Sequence, residues 1–175
     1  MSVSLGAPSG RLCSSTINGG ELRAVVSIMG GGTCVLCDEE VKIGDLIGVY
    51  PLSWSHFDCI RSDVMSREVH TDGYTYFLEL DDGAVKIGFT LTKGGIKDRI
   101  RKAHKSIHPV ARVLGVLDGG ASLEAQMHIR FEDLTDGRVE TFLSAQELID
   151  QARQGASHEM VQLGNNFIAT NRHKW

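Results

Sequence analysis

The chain has 175 residues, 42% of them hydrophobic and 23% charged, with a formal net charge of −4. That composition suits a globular protein with one ordinary domain or two small ones. No apolar run nears the roughly 20 residues that span a bilayer. Ala24–Met29 is too short, and the N-terminus lacks the basic-then-apolar order of a signal peptide, so the sequence reads as cytosolic.

Residues 1–33 are rich in Gly and Ser and read as a flexible lead-in, with one strand or short helix over Glu21–Met29 and a break at Gly30–Gly32. Cys13 has no partner by spacing and reads as a free thiol. The next segment, 34–69, carries Cys34-x2-Cys37 and His56-x2-Cys59. A two-residue gap lets both members of a pair reach one ion from a tight turn, and four thiolate or imidazole donors suit structural Zn²⁺. A redox Cys-x-x-Cys is the competing reading, and it lacks the βαβ context such a motif expects. These 26 residues resemble one half of a LIM-type finger and, more loosely, a treble-clef finger. The resemblance implies a zinc module that binds protein or nucleic acid.

The third segment, 72–155, alternates strands and helices. Tyr74–Leu80 is rich in β-formers, Asp81-Asp82-Gly83 is a turn signal, and Val85–Thr90 returns as the second strand of a hairpin. Ile96, Ile100, Ala103 and Ile107 recur at helical spacing, which predicts an amphipathic helix over 95–107. Val110–Leu117 reads as a buried strand. Ser122 is the expected N-cap of a helix whose inner stripe is Leu123, Met127, Phe131 and Leu134. Ser144 and Glu147 form a capping-box signature for a last helix at 145–154. Residues 156–175 read as a weakly amphipathic C-terminal tail.

Charge is uneven. Residues 93–112 hold Lys93, Lys97, Arg99, Arg101, Lys102, Lys105 and Arg112 against Asp98, which is +6 (seven minus one) and leaves −10 elsewhere. Such a stripe is a usable phosphate footprint, and charge alone equally describes a solvated helix face.

Five stretches in order, Gly73–Phe77, Val85–Thr90, Lys97–Arg99, Glu124–His128 and Arg138–Phe142, resemble the GIY-YIG endonuclease superfamily, in particular its phage and bacterial DNA-binding branch. The resemblance implies an α+β fold: a small antiparallel sheet flanked by helices, here preceded by the zinc-binding module. It places Tyr76 at the first-motif tyrosine, Lys86 where the second-motif tyrosine usually stands, Arg99 at the helix arginine and Glu124 at the glutamate that holds a catalytic Mg²⁺ or Mn²⁺. His128 follows Glu124 by one turn, on the same side.

The expected chemistry follows. An ammonium at Lys86 would favour a Tyr76 phenolate that activates water, Arg99 would hold the phosphate, and Glu124 would hold the metal. Lys97, Arg101, Lys102 and Lys105 would contact the DNA backbone. Three functions stay open: a metal-dependent DNA endonuclease whose zinc module helps dock substrate, a DNA-binding or regulatory module that does not cut, and a factor that binds a protein partner through the zinc module. If phage-encoded, the protein would work in the host cytoplasm.

Overall fold

The computed structural model describes residues 14–17, 20–23, 25–27, 30–49, 54–66, 68–69 and 72–175. Cys13 lies outside them. The described chain is mixed α and β, and its sheets are antiparallel. Short strands come first: β1 (Ser14–Ile17), β2 (Gly20–Arg23), β3 (Val25–Val26), β4 (Gly32–Thr33), β5 (Glu40–Val41), β6 (Leu46–Val49) and β7 (Trp54–His56). β1 and β2 pair as a hairpin within the expected lead-in, β4 pairs with β5, and β3, β6 and β7 make a three-stranded sheet. Helix α1 (Phe57–Ser66) leads out of β7.

The main sheet follows. Strands β8 (Tyr74–Leu80) and β9 (Val85–Thr90) form the hairpin the sequence predicts, with Leu80 N–H donating to Ala84 O across the turn. Helix α2 (Gly95–Ser106), strand β10 (Val110–Asp118), helix α3 (Gly120–Arg130), strand β11 (Thr141–Phe142) and helices α4 (Gln146–Arg153) and α5 (His158–Asn171) complete it. Strand order is β10-β8-β9-β11.

Side chains alternate between the two faces of a strand, so β8 can feed two cores. Tyr76, Leu78 and Leu80 face α2 and α5, meeting Ile96, Ile100, Met160 and Ile168. Phe77 on the other face joins Val85, Ile87, Met127, Phe142, Leu148 and Ala152. A sheet covered on both faces explains why these strands read as nearly continuous apolar runs.

Several local expectations change. Ser122 is not an N-cap, because α3 starts earlier: Gly119 and Gly120 take φ of 143° and 49°, and the Ser122 hydroxyl donates to Gly119 O at 2.9 Å. A Cβ on Gly120 would lie 2.7 Å from Asp72 O, so the turn needs glycine there. The capping box does not form either. Ala145 is the N-cap of α4, and Glu147 pairs instead with Arg130 at 3.1 Å. Leu134 sits in a 3₁₀ turn (Glu132–Leu134) beyond α3.

Residues 156–175, expected as a tail, form a packed helix. Ser157 caps α5, while Met160, Gly164 and Ile168 are buried. β10 lies at the end of its sheet, and the Asn165 side chain of α5 meets both backbone groups of Val113, accepting from N–H at 2.8 Å and donating to the carbonyl at 3.3 Å. A buried edge is thereby satisfied by a side chain in place of a strand. Among the described residues, no helix is long and apolar enough to cross a membrane.

A Cβ on Gly115 would fall 1.7 Å from the Ala152 carbonyl oxygen, a backbone atom that cannot swing aside. Gly115→Ala is therefore expected to cost about 3 kcal/mol or more, as overpacking against backbone does. Urea denaturation would read it as a lowered midpoint. An unchanged midpoint would show that α4 does not press on β10.

Candidate functional site

Two places gather chemistry. The first is the cysteine cluster. Cys34 and Cys37 bracket a tight turn between β4 and β5, closed by Cys34 N–H donating to Glu39 O at 2.8 Å and Asp38 N–H to Cys34 O at 2.9 Å. Asp38 takes a left-handed φ of 59° to make it. His56 ends β7, and Cys59 stands in the first turn of α1. The four donor atoms lie within 4.8 Å of one another, Cys37 Sγ being 3.4 Å from His56 Nδ1. A tetrahedral zinc centre holds its donors roughly 3.5 Å apart, so this group can hold one zinc ion.

The protonation chemistry agrees. Burial, followed by the neighbouring Cys37 and Cys34 sulfurs, pushes the Cys59 thiol up to about 12. Against its own burial, backbone hydrogen bonds from His56, Leu36 and Cys37 pull Cys34 down to about 6. Three thiolates gathered here would need a cation, and a divalent ion would supply it. Sequence reasoning missed Asp45, whose Oδ2 lies 3.3 Å from His56 Nε2. With Nδ1 turned toward the sulfurs, Nε2–H donates to that carboxylate, which fixes the ring and its tautomer.

Helix α1 links the cluster to the rest of the fold. Its Phe57, Ile60 and Val64 pack on Ala125 and Ile129 of α3. Arg61 pairs with Glu132, and the Gln126 amide donates to Val64 O at 3.3 Å.

The second place is an open cleft of about 260 Å³ between the sheet and α2, lined among others by Tyr76, Lys86, Arg99, Lys102, Ser106 and Glu140. Tyr76 and Lys86 come from neighbouring strands in a register that pairs Tyr76 with Gly88 and Leu78 with Lys86, so both point to the α2 face. The Tyr76 ring crosses Gly88, where a Cβ would lie 2.3 Å from the phenolic oxygen. Arg99 reaches in from α2, its guanidinium 5.8 Å from the Phe89 ring centre.

The expected Tyr76 phenolate is not favoured here. Burial pushes the phenol up, the Glu124 and Glu140 charges add to this, and Arg99 only partly opposes it. The Lys86 ammonium is taken up by Glu140, Nζ to Oε2 2.5 Å. Sequence reasoning gave Glu140 no role, although it stands in the last of the five stretches. Glu140 has a left-handed φ of 55°. The turn before it is pinned by Arg138, which grips Asp136 at 2.5 Å and Asp82 at 2.7 Å.

Glu124 and His128 lie in α3 at 2% and 0% exposure and do not line the cleft. Burial, then the Glu140 charge, pushes the Glu124 carboxyl up to about 8 against Lys86 and Arg99. Its Oε2 has no hydrogen-bond partner among the described residues. Burial pushes His128 down to about 4, so the ring is neutral, with Nε2–H donating to Ile87 O at 3.3 Å and Nδ1 without a partner among the described residues.

Of the other cations, Arg101 is tied to Asp98 at 2.7 Å and lies over Phe167. Among the described residues, no carboxylate pairs with Lys97, Lys102 or Lys105. Comparison with protein-family models, with curated proteins and with solved structures finds no match.

Metal analysis is expected to find one zinc per chain, lost in Cys37→Ser. Asp45→Asn should keep the ion but weaken it about tenfold in chelator competition, the usual effect of removing a ligand's hydrogen-bond acceptor. A separate expectation concerns acid. The unfolded His128 imidazole takes a proton near its ordinary value of 6.5, whereas the folded ring refuses it until about 4. Stability should fall as pH falls through that window. Denaturation at pH 7 and pH 5 checks this, with His128→Gln expected to show the smaller loss.

Proposed function

We propose that the chain is a divalent-metal-dependent endonuclease of GIY-YIG type that cuts the phosphodiester backbone of DNA, carried on an antiparallel sheet of that family with a LIM-like or treble-clef-like zinc segment before it. The supporting observation is the meeting of Tyr76, Lys86 and Arg99 in one cleft, with Glu124 close enough to feel the charges of Lys86 and Arg99. In this reading Arg99 and Lys102 receive the phosphate, and Lys86, held by Glu140, faces the charge that develops on it. Tyr76 acts as a protonated phenol that donates a hydrogen bond to a phosphoryl oxygen.

Glu124 Oε2, without a hydrogen-bond partner among the described residues, would be the oxygen to hold a hard Mg²⁺ or Mn²⁺ once the carboxyl gives up its proton. Such an ion, when bound, supplies Lewis-acid stabilisation of a phosphoryl oxygen. A zinc centre at Cys34, Cys37, His56 and Cys59 needs reduced cysteines, which supports a cytosolic protein.

A second reading, DNA binding without cleavage, is favoured by the Lys86–Glu140 ion pair standing within the cleft and by the protonated Tyr76. Plasmid nicking with Mg²⁺ or Mn²⁺ separates the two. The nuclease reading expects cleavage that drops about 10²- to 10³-fold in Arg99→Ala, the scale of losing one transition-state donor. It also expects the metal-dependent cleavage to be lost in Glu124→Gln. The binding reading expects salt-sensitive retention of DNA that survives Glu124→Gln and weakens in Lys97→Glu and Lys102→Glu. No cleavage of supercoiled, linear, branched or single-stranded DNA would overturn the first.

A further inference from the structure

We infer that the outer face of the zinc-binding segment docks a basic peptide segment carrying apolar residues. This departs from the expectation that the segment helps dock DNA, and it does not depend on the nuclease reading.

Two adjoining hollows, of about 770 and 500 Å³, open on this face and share Asp58 and Cys59. The first is the mouth of the Cys/His cluster, where Cys37, His56 and Cys59 are ringed by Glu39, Glu40, Asp45 and Asp58 against one cation, Lys42. The second adds Asp63. Over the whole stretch 34–69, seven acids (Asp38, Glu39, Glu40, Asp45, Asp58, Asp63, Glu68) face three bases (Lys42, Arg61, Arg67), a net of −4. A zinc centre of three thiolates and one imidazole adds one more negative charge. A phosphate backbone would meet like charge here.

The face is also apolar in places. Leu46 lies in the first hollow and Leu36 in the second, both exposed, and on the same segment Trp54 and Ile43 are 49% and 74% exposed. Large aliphatic and aromatic side chains left open beside a concave surface suit burial by a partner's apolar anchors. The carboxylates do not converge on a point: among the described residues, the group placed to hold a metal is the Cys/His set. Acids spread along two connected hollows match a row of Lys and Arg side chains better than a single cation. The basic stripe of α2 belongs to a different element, so one chain carries two surfaces of opposite sign.

The test uses the full zinc-loaded chain and labelled peptides followed by fluorescence anisotropy. One peptide alternates Lys and Arg with Leu, a second replaces Leu by Gly, and a third replaces the bases by Glu. The first should bind in a salt-sensitive way, and the second about tenfold more weakly, which is 1.4 kcal/mol. The third should not bind. The double variant Glu39→Lys, Glu40→Lys touches neither a zinc ligand nor the cleft. It should weaken the first peptide about tenfold or more while zinc content and DNA binding stay as they are. Equal binding of the acidic peptide, or undiminished binding by the double variant, would overturn the inference. So would displacement of the peptide by duplex DNA. Salt-sensitive self-association that competes with the peptide would assign the face to a second copy of this chain instead.

Discussion

Helix α3 is buried on two opposite sides, and this double burial ties the structure together. Met127 faces the sheet among Phe77, Ile87 and Phe142, while Ala125 and Ile129 face α1. The polar residues of α3 divide between the two remaining flanks: Ser122, Gln126 and Arg130 take the partly open one, Glu124 and His128 the closed one. Glu124 and His128 are therefore sealed in with it. α1 in turn carries Cys59 at its start, so the Cys/His cluster, helix packing and the placing of Glu124 belong to one mechanical chain.

That sealing sets the electrostatics of the cleft. Burial acts against the charged form of every group it touches, raising Tyr76 and Glu124 and lowering His128. All three are neutral near pH 7 in the metal-free protein. Lys86 and Glu140, at 6% and intermediate exposure, face each other as an ion pair at 2.5 Å. A buried pair of this kind contributes little net stability, since desolvation offsets most of its Coulomb attraction. Its effect is geometric: it pins the 136–140 turn, already held by Arg138, against β9, whose Lys86 pairs with Thr141.

The net charge of −4 conceals two poles. The +6 stripe is partly neutralised in the fold, where Lys93 pairs with Glu159, Arg101 with Asp98 and Arg112 with Glu79. What remains beside the cleft is Arg99 and Lys102, with Lys97 and Lys105 farther along α2. The opposite pole lies on the segment of the Cys/His cluster, where 34–69 sums to −4.

Much of this was legible beforehand. The hairpin over 74–90, helix α2 and strand β10 stand where apolar alternation, helical spacing and the Asp-Asp-Gly turn put them, because those signals act within a few residues. The four metal donors were legible for the same reason: a two-residue gap is a local geometric constraint. Ser122 misled because the chain turns into α3 earlier, at Gly119 and Gly120 against Asp72, and Ser144 misled because α4 takes its cap one residue later, at Ala145. The last helix was hidden because its inward face is completed by Asn165, a polar residue matched to one bulged edge of β10. Asp45 and Glu140 carried no signal of their own, since each matters only through a residue 11 or 54 positions away. The sequence determined which side chains exist and which local elements they form. Only the tertiary structure decided which of them lost water, and that loss is why Tyr76 keeps its proton and Glu124 is left with an oxygen unpartnered among the described residues.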